Sequence, residues 1–304
     1  MTKIAWTQET VNPFAGCTKA SEGCRECYAE KMARRLAAMG QKKYSEIIDQ
    51  NGKWNGKTVF DASALEKIFN WKNPRMIFMV SMGDLFHEYN DNDDIAMVFA
   101  AMYLNQRHTF QVLTKRPERA ETILKSEGFW ISYHKHCNQL HDKFIKPLEQ
   151  ELYFYDEVKQ EWPLKNVWFG VTAENQQKAN ERIPILMKIP AAKRFVSIEP
   201  MLGTINLTSL SREEVGTGTF YDDSLTGFKA HGAGGWYANK LDWVICGCES
   251  GPKRRPFEFD WAVSLRDQCI AANVPFFFKQ RYIGNKKVTL PTIDCKIWNQ
   301  VPEK

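Results

Sequence analysis

The sequence lacks any long hydrophobic run. Its longest uninterrupted apolar stretches, such as Met76–Val80, are far shorter than the roughly 20 residues that a membrane-spanning helix needs. The amino-terminal residues also lack the apolar core of a secretory signal. A strong charge excess is missing too, because 41 basic and 36 acidic residues leave a net charge of only +5. These absences predict a cytoplasmic protein that has no membrane partner.

A disulfide framework is also not expected. The chain of 304 residues contains eight cysteines, but the cytoplasm keeps thiols reduced. With 43% hydrophobic residues and 13% aromatic residues, the chain can bury a sizeable core without cross-links. This composition excludes disordered and low-complexity proteins. It favours one large domain over residues 1–304, with insertions at about 126–165 and 211–240.

Short apolar runs alternate with segments that are compatible with helices. A first strand is expected within Ile4–Asn12, and the later strand candidates are Met76–Val80, Phe110–Leu113, Val167–Val171, Arg194–Ile198, Leu241–Cys246 and Pro275–Phe278. Helices are expected at Asp93–Gln106, Pro117–Lys125, Gln176–Met187 and Asp260–Ala272. This alternation predicts an α/β fold with a parallel sheet. About seven strands favour a partial or complete parallel (β/α) barrel, and a doubly wound sheet is the alternative.

Two segments interrupt this alternation. Ser126–Lys165 is polar and aromatic, and Ser211–Lys240 is rich in glycine. Long loops inside a compact domain are usually functional, so both segments are interpreted as insertions that serve as lids or contact partners. The first contains four potential metal ligands, but it is also rich in charged residues, which favours a solvated surface segment; these ligands are His134, His136, Cys137 and His141.

Reactive side chains follow each apolar run. The carboxyl ends of parallel strands open onto one face, so these residues are expected to converge on one active site. They are Ser81, Gly83, Asp84, His87, Thr114, Lys115, Arg116, Thr172, Glu174, Asn175, Ser197, Glu199, Cys246, Cys248, Glu249, Ser250, Lys279, Gln280 and Arg281. Within this set, Cys246 and Cys248 are interpreted as small buried strand residues rather than as a second cluster site.

Three further cysteines, Cys17, Cys24 and Cys27, precede a helical segment at Tyr28–Met39. Thiolates at the start of a helix suit a soft metal. A structural zinc site takes four protein ligands, whereas a [4Fe–4S] cluster held by three cysteines leaves one iron open. The spacing alone leaves both metals open, and zinc would need a fourth ligand such as Cys246, Cys248 or His87.

A family resemblance extends along nearly the whole chain. The matching strings are Trp6-Thr7, Asn12-Pro13, Gly16-Cys17-Thr18-Lys19, Gly23-Cys24, Cys27-Tyr28-Ala29-Glu30, Ser81-Met82-Gly83-Asp84-Leu85-Phe86-His87, His108-Thr109-Phe110-Gln111-Val112-Leu113-Thr114-Lys115-Arg116-Pro117, Phe195-Val196-Ser197-Ile198-Glu199-Pro200, Glu249-Ser250-Gly251 and Pro275-Phe276-Phe277-Phe278-Lys279-Gln280. With these strings the chain resembles a family of phage and prophage proteins related to radical S-adenosylmethionine (SAM) enzymes. The expected location is therefore the cytoplasm, that of the host cell if a phage encodes the chain.

The resemblance implies a radical-SAM type of barrel in which the three cysteines bind a [4Fe–4S] cluster. SAM would chelate the fourth iron, and its reductive cleavage would give methionine and a 5′-deoxyadenosyl radical, with an electron donor such as flavodoxin or ferredoxin. The chain departs from the usual pattern in the first cysteine gap, which is six residues instead of three, and in Glu26, which stands where an aromatic residue commonly precedes the last cysteine.

The resemblance also implies roles for five strand-end residues. Gly83 and Asp84 take the position that contacts the SAM amino group. Glu174 or Asn175 takes the position that holds the ribose, and Glu199 is the next acidic candidate. These roles agree with simple chemistry, since an ammonium group prefers a carboxylate and vicinal hydroxyls suit Asn or Glu.

Four strand-end cations could hold phosphates, namely Lys115, Arg116, Lys279 and Arg281, and six further cations that follow strand ends or flank the expected open face could do the same: Arg119, Lys253, Arg254, Arg255, Lys286 and Lys287. Together with the implied phage relationship, they favour a nucleobase or modified nucleotide as substrate. Phage DNA hypermodification by radical isomerisation or rearrangement is the specific expectation, and a base in a duplex would have to be flipped outward. Two alternatives remain: a zinc-stabilised nucleic-acid-binding protein without catalysis, and a hydrolase that uses Asp84, Glu174 and Glu199.

Overall fold

A computed structural model describes Thr2 and residues 4–145, 162–214, 218–231 and 234–303. Its central feature is an eight-stranded sheet. In order across the sheet, the strands are β1 (Glu9–Val11), β4 (Met76–Met79), β5 (Thr109–Thr114), β6 (Val167–Thr172), β7 (Lys193–Ile198), β12 (Trp243–Gly247), β13 (Phe276–Ile283) and β14 (Lys286–Thr289). Neighbouring strands from β1 to β13 pair in parallel, and β14 pairs antiparallel with β13. The predicted α/β fold with a mostly parallel sheet is therefore confirmed.

Helices connect the parallel strands. They are α1 (Tyr28–Ala38), α2 (Lys42–Ser45), α3 (Glu66–Asn70), α4 (Asn92–Tyr103), α5 (Pro117–Lys125), α6 (Glu127–Phe144), α7 (Gln176–Leu186) and α8 (Phe259–Ala271), with short 3-10 turns at Glu22–Cys24 and Ala62–Leu65. Local signals explain several helix starts. Asp91 and Ser126 cap α4 and α6 by accepting a backbone N–H. Pro117 stands at the first turn of α5, where its missing N–H has no cost.

The helices cover one face of the sheet, and aromatic side chains fill part of the other. This second cluster consists of Trp6, Phe78, Trp168, Phe195, Trp243, Ile245 and Phe277. Several members belong to the first residues of their strands, so the cluster lies toward the amino ends. Gly170 makes room for it, because a Cβ there would lie 2.5 Å from the Phe195 ring. The carboxyl ends of the strands are thereby left for polar side chains.

Part of the first predicted insertion is a core helix. In α6 the side chains of Phe129, Trp130, Tyr133, Cys137 and Leu140 are buried at helical spacing, and the Phe129 ring lies 5.7 Å from that of Phe99 on α4.

The expectation of a solvated segment is therefore wrong for this helix, and its buried His136 is paired with Asp93 at 2.8 Å rather than exposed. The charged residues that suggested solvent lie on the other face of the helix or at 146–161, outside the described residues.

The second predicted insertion contains a small antiparallel sheet. Its strands β8 (Leu210–Glu214), β9 (Gly218–Asp222), β10 (Phe228–His231) and β11 (Gly234–Tyr237) follow the order β11-β10-β9-β8. Leu210 and Leu225 are buried, which anchors this sheet to the main body of the protein. Two-stranded ribbons complete the fold: β2 (Phe14–Ala15) with β3 (Val59–Phe60), and β15 (Thr292–Ile293) with β16 (Lys296–Ile297).

The boundaries and the cysteines on β12 also test the sequence interpretation. Five of the predicted strands end within two residues of their observed limits, whereas β13 continues to Ile283. Cys246 and Cys248 are buried, with exposed fractions of 0% and 4%, as predicted. Within the ranges described, none of the helices has the length and hydrophobicity that a membrane crossing requires.

Replacing Phe129 with alanine tests whether α6 belongs to the core. Phe129 is 1% exposed, so we expect Phe129→Ala to lower the free energy of unfolding by about 3–5 kcal/mol, the usual result of emptying a buried aromatic site. Ile131 lies on the same helix but is 58% exposed, and Ile131→Ala should change stability by less than about 0.5 kcal/mol. Urea unfolding followed by tryptophan fluorescence measures both, and equal effects would contradict the buried assignment.

Candidate functional site

The three clustered cysteines belong to one loop at the carboxyl edge of the sheet. We call Gly16–Cys27 the cysteine loop; it leads from β2 into α1. Gly16 forms a parallel bridge with Gly83, just beyond the end of β4, and its N–H donates to the Met82 carbonyl at 3.1 Å. The loop therefore starts as an extension of the sheet edge toward which the strand-end residues point.

Glycine is required on both sides of this bridge. Gly16 has a φ of +99°, which side chains rarely adopt, and a Cβ on Gly83 would lie 2.7 Å from the Gly16 carbonyl oxygen. Gly83 was predicted to take the position that contacts the SAM amino group. In the structure, its missing side chain lets the backbone of the cysteine loop approach.

Asp84 connects the ends of β4 and β5. Its buried carboxylate accepts hydrogen bonds from the Phe86 N–H at 3.0 Å, the Thr114 hydroxyl at 2.7 Å and the Lys115 N–H at 3.0 Å. It also pairs with the Arg116 guanidinium at 3.2 Å. With both oxygens engaged by protein donors, this carboxylate acts as a structural junction beside the cysteine loop.

Arg116 connects Asp84 to the cysteine loop. Its guanidinium donates to the Thr18 hydroxyl at 2.7 Å and to the Cys17 Sγ at 3.8 Å, and it pairs with Glu88 at 2.8 Å. Arg116 is buried and was predicted to bind a phosphate. Its donors instead hold the first part of the cysteine loop, and the two neighbouring carboxylates outweigh burial and raise its pKa.

Glu174 holds the middle of the same loop. Its fully buried carboxylate accepts the Gly23 N–H at 3.2 Å and pairs with Arg182 of α7 at 3.0 Å. Burial disfavours the charged form, but the nearby Ser21 hydroxyl and the Arg182 guanidinium outweigh it and lower the pKa of Glu174. A Cβ on Gly23 would lie 2.9 Å from this carboxyl group, so glycine is needed for the contact.

Asn175 and Arg255 also hold the cysteine loop. We call the contacts of Gly83, Arg116, Glu174, Asn175 and Arg255 with this loop the clamp. The Asn175 side chain accepts the Lys178 N–H and so caps α7, and its amide donates to the Glu22 carboxylate at 2.5 Å. Arg255 donates to the Glu22 carbonyl at 2.9 Å and pairs with Glu249, also at 2.5 Å. Residues predicted to hold the SAM ribose therefore hold the turn that carries Cys24.

The chemistry of the three thiols fits a soft metal or a cluster. Cys17, Cys24 and Cys27 are free and half-buried. Burial, together with Asp84, raises the pKa of Cys17 to about 12, so a bound metal would be needed to keep it deprotonated at neutral pH. Across the described residues, no three His, Cys, Asp or Glu side chains already form a metal-binding group.

Glu199 differs from the other predicted acidic residues because one of its oxygens is unused. Its Oε2 accepts from Trp6 Nε1 at 3.2 Å and pairs with Lys279 at 3.1 Å. Its Oε1 is buried and has no hydrogen-bond partner among the described residues. A Cβ on Gly247 would lie 2.8 Å from this oxygen. The carboxylate is therefore ready to accept a further donor.

The four strand-end cations that were predicted to bind phosphate mostly contact other groups of the protein. Arg116 and Lys279 pair with carboxylates, and the Arg281 guanidinium stacks on the Phe259 ring at 3.9 Å. Lys115 is half-buried, and its positive charge helps to lower the pKa of Glu174. The structure brings these residues to the predicted edge but gives at least three of them other contacts.

Several residues that build the site escaped the sequence interpretation. Trp6, Glu22 and Arg182 each contact a predicted site residue or the cysteine loop. Arg182 lies only eight residues after Glu174. The contacts of Trp6 and Glu22 join residues that are 193 and 153 positions apart in the sequence.

Comparison with known proteins adds one match. The family model described as "Protein of unknown function (DUF5131)" matches residues 1–302, which is nearly the whole chain and includes the cysteine loop and every strand of the central sheet. The chain matches no curated protein and no solved structure.

The buried pair of Glu174 and Arg182 should make stability depend on pH. Because the folded state lowers the pKa of Glu174, its contribution is complete above the unfolded value of about 4.3 and is lost as the pH falls through the folded value. We expect Glu174→Gln, which leaves Arg182 buried without its partner, to cost about 3–5 kcal/mol at pH 7 and progressively less as the pH falls from about 4 towards about 2.

Glu181 of the same helix provides the control. It pairs with Lys178 at the surface, so Glu181→Gln should cost less than about 1 kcal/mol at either pH. Urea unfolding of the metal-free proteins at several pH values measures both variants. A cost for Glu174→Gln that stays constant down to about pH 2 would contradict a charged Glu174.

Proposed function

We propose that this chain, which belongs to the DUF5131 family, is a radical SAM enzyme whose [4Fe–4S] cluster is held by Cys17, Cys24 and Cys27. The observation that carries the proposal is the clamp on the cysteine loop. Buried or half-buried contacts from the ends of β4, β5 and β6 converge on this loop, and Arg255, on the segment after β12, adds an exposed hydrogen bond. A surface loop without a function would not need so many buried polar contacts to hold it.

The chain's own residues would prepare the loop for the cluster. Arg116 would keep a positive charge and an N–H donor beside the Cys17 sulfur, an interaction of the kind that tunes protein-bound clusters. When bound, a cluster with one open iron supplies the electron that cleaves SAM to methionine and a 5′-deoxyadenosyl radical. The fold proposed with this chemistry is a partial or complete parallel (β/α) barrel.

Glu199 is the residue that we propose for SAM binding. Asp84 and Glu174 have their oxygens occupied by protein donors, whereas Glu199 has a buried oxygen without a partner. Satisfying that oxygen with an ammonium or hydroxyl group of SAM would remove the penalty of leaving it unpaired. Lys279, which is bound to the other oxygen, would keep the carboxylate oriented.

The proposed substrate is a nucleobase or a modified nucleotide, with phage DNA hypermodification by radical isomerisation as the specific reaction. A hydrogen atom would move from the substrate to the 5′-deoxyadenosyl radical, and the substrate radical would rearrange. The 5′-deoxyadenosine formed in this way would return a hydrogen atom to the rearranged radical, which completes the isomerised product and restores the 5′-deoxyadenosyl radical. The electron for SAM cleavage would come from a small donor protein of the flavodoxin or ferredoxin class. The hydrolase alternative loses support because Asp84 and Glu174 are held in structural contacts.

Metal analysis of the anaerobically reconstituted protein tests the cluster. We expect about four iron and four sulfide per chain, and an electron paramagnetic resonance (EPR) spectrum of the reduced protein that shifts when SAM is added. Cys17→Ala, Cys24→Ala and Cys27→Ala should each abolish the four-iron signal.

Cys295→Ala is the matched control, because Cys295 is an exposed thiol in the turn between β15 and β16, and this variant should keep full iron content. Stoichiometric zinc without iron, lost together with the three cysteines, would overturn the cluster and support the zinc-stabilised protein instead. Iron that survives all three substitutions would place the cluster elsewhere.

The role of Glu199 is tested by Glu199→Gln, which keeps the shape of the side chain but removes its charge. We expect unchanged iron content and a SAM affinity that is about 10- to 100-fold weaker, the usual effect of losing a hydrogen bond to a charged group. Titration of the SAM-induced EPR shift measures this affinity. The surface variant Glu181→Gln should bind SAM like the unchanged protein, and equal affinities for all three proteins would refute the assignment.

A further inference from the structure

Four cations lie on two neighbouring segments, one of which contacts the cysteine loop. Lys253 and Arg254 lie on the loop between β12 and α8, and Lys286 and Lys287 lie on β14. We call these four residues the basic rim. The three lysines are exposed, and Arg254 is half-buried. No acidic residue occurs between Asp267 and Asp294, so the hairpin of β13 and β14 carries only positive charge.

The two segments of the basic rim are fastened to each other. The Arg254 guanidinium lies over the Tyr282 ring at 3.8 Å and donates to the Gly284 carbonyl at 3.1 Å. The Tyr282 hydroxyl in turn accepts the Gly251 N–H at 3.3 Å. These contacts hold the loop after β12 against the hairpin. The fold therefore determines how the two segments of the rim lie relative to each other.

The rim is also fastened to the cysteine loop. Arg255, which follows Arg254, donates to the Glu22 carbonyl at 2.9 Å. The positive charge of Lys253 helps to lower the pKa of Glu26, after the hydrogen bond from Lys31 to that carboxylate. A ligand bound at the Lys253 end of the rim would therefore lie next to the part of the cysteine loop that contains Glu22 and Glu26.

The four cations of the rim form no ion pairs with the carboxylates of the described residues. In contrast, the predicted phosphate ligands Arg116 and Lys279 are paired with Asp84 and Glu199. A row of unpaired cations over two adjacent segments suits a ligand with repeated negative charges better than it suits a single phosphate.

We infer that the basic rim binds the sugar–phosphate backbone of a nucleic acid, so that the substrate base is presented within a polynucleotide and not as a free nucleotide. The inference rests on the proposed function only for the chemistry at the base. Lysines and a fixed arginine contact phosphates without reading sequence, so the rim would position the strand while residues at the strand ends receive the base.

Fluorescence anisotropy with a labelled DNA duplex and its single strand tests the rim on the iron-loaded protein. Between 50 and 200 mM salt, affinity should fall with rising salt, since each phosphate contact contributes about 0.9 to the slope. We expect the double variant Lys286→Gln/Lys287→Gln to bind at least about tenfold more weakly and to lower the slope by about 1.8. A deoxynucleoside monophosphate should compete poorly with either DNA.

The control variant Lys72→Gln/Lys165→Gln removes the same charge from exposed lysines that precede β4 and β6, at the opposite end of the sheet. It should bind DNA like the unchanged protein. Equal weakening by the two double variants would show that net charge alone is at work and would overturn the inference.

Other outcomes separate this inference from the proposed function. Unchanged DNA binding by the rim variant, in a protein that still holds iron and cleaves SAM, would refute the rim and leave the proposed function standing. DNA binding that depends on the rim, in a protein that binds no iron, would support the rim and refute the proposed function. If the rim variant keeps its DNA affinity but no longer accepts electrons from reduced flavodoxin, the rim is the docking site of an acidic donor protein and the inference is wrong.

Discussion

The buried pairing of Glu174 with Arg182 is the interaction on which the arrangement of the site depends. Taking a carboxylate out of water is favourable only when a partner charge and hydrogen bonds replace the solvent. Arg182 supplies the charge, and the Gly23 N–H uses the remaining capacity. Because the buried Glu174 carboxylate needs hydrogen-bond donors, its contact with the Gly23 N–H determines where the turn before Cys24 lies. Asp84 and Arg116 apply the same principle to Cys17.

This use of buried charge divides the acidic residues of the carboxyl edge into two groups. Asp84 and Glu174 are saturated with protein donors and act on the cysteine loop, whereas Glu199 keeps one buried oxygen free. An unsatisfied buried acceptor is costly in a finished fold, which is why it points to a ligand. The cations divide similarly. Arg116 contacts the cysteine loop, whereas among the described residues no cation of the basic rim (Lys253, Arg254, Lys286 and Lys287) forms an ion pair with a carboxylate.

The two insertions show where patterns along the sequence mislead. The charged and histidine-rich composition of 126–165 suggested solvent, yet Phe129, Trp130 and Tyr133 repeat at helical spacing and pack against α4. Composition averages over both faces of a helix, whereas burial depends on one face. The glycine-rich segment 211–240 contains a four-stranded antiparallel sheet. Its strands pair with one another locally, so alternation of strands and helices along the chain could not predict them.

The sequence by itself determined the α/β class, the positions of the parallel strands along the chain, most limits of the predicted helices and the edge at which the reactive residues gather. These properties follow from local hydrophobic periodicity and from the rule that parallel strands end on one face. Only the tertiary structure decided the partner of each side chain. Whether Glu174 meets a ligand or Gly23, and whether Arg116 meets a phosphate or Cys17, depends on contacts across about a hundred or more residues. The spacing of residues along a chain contains no information on such distances.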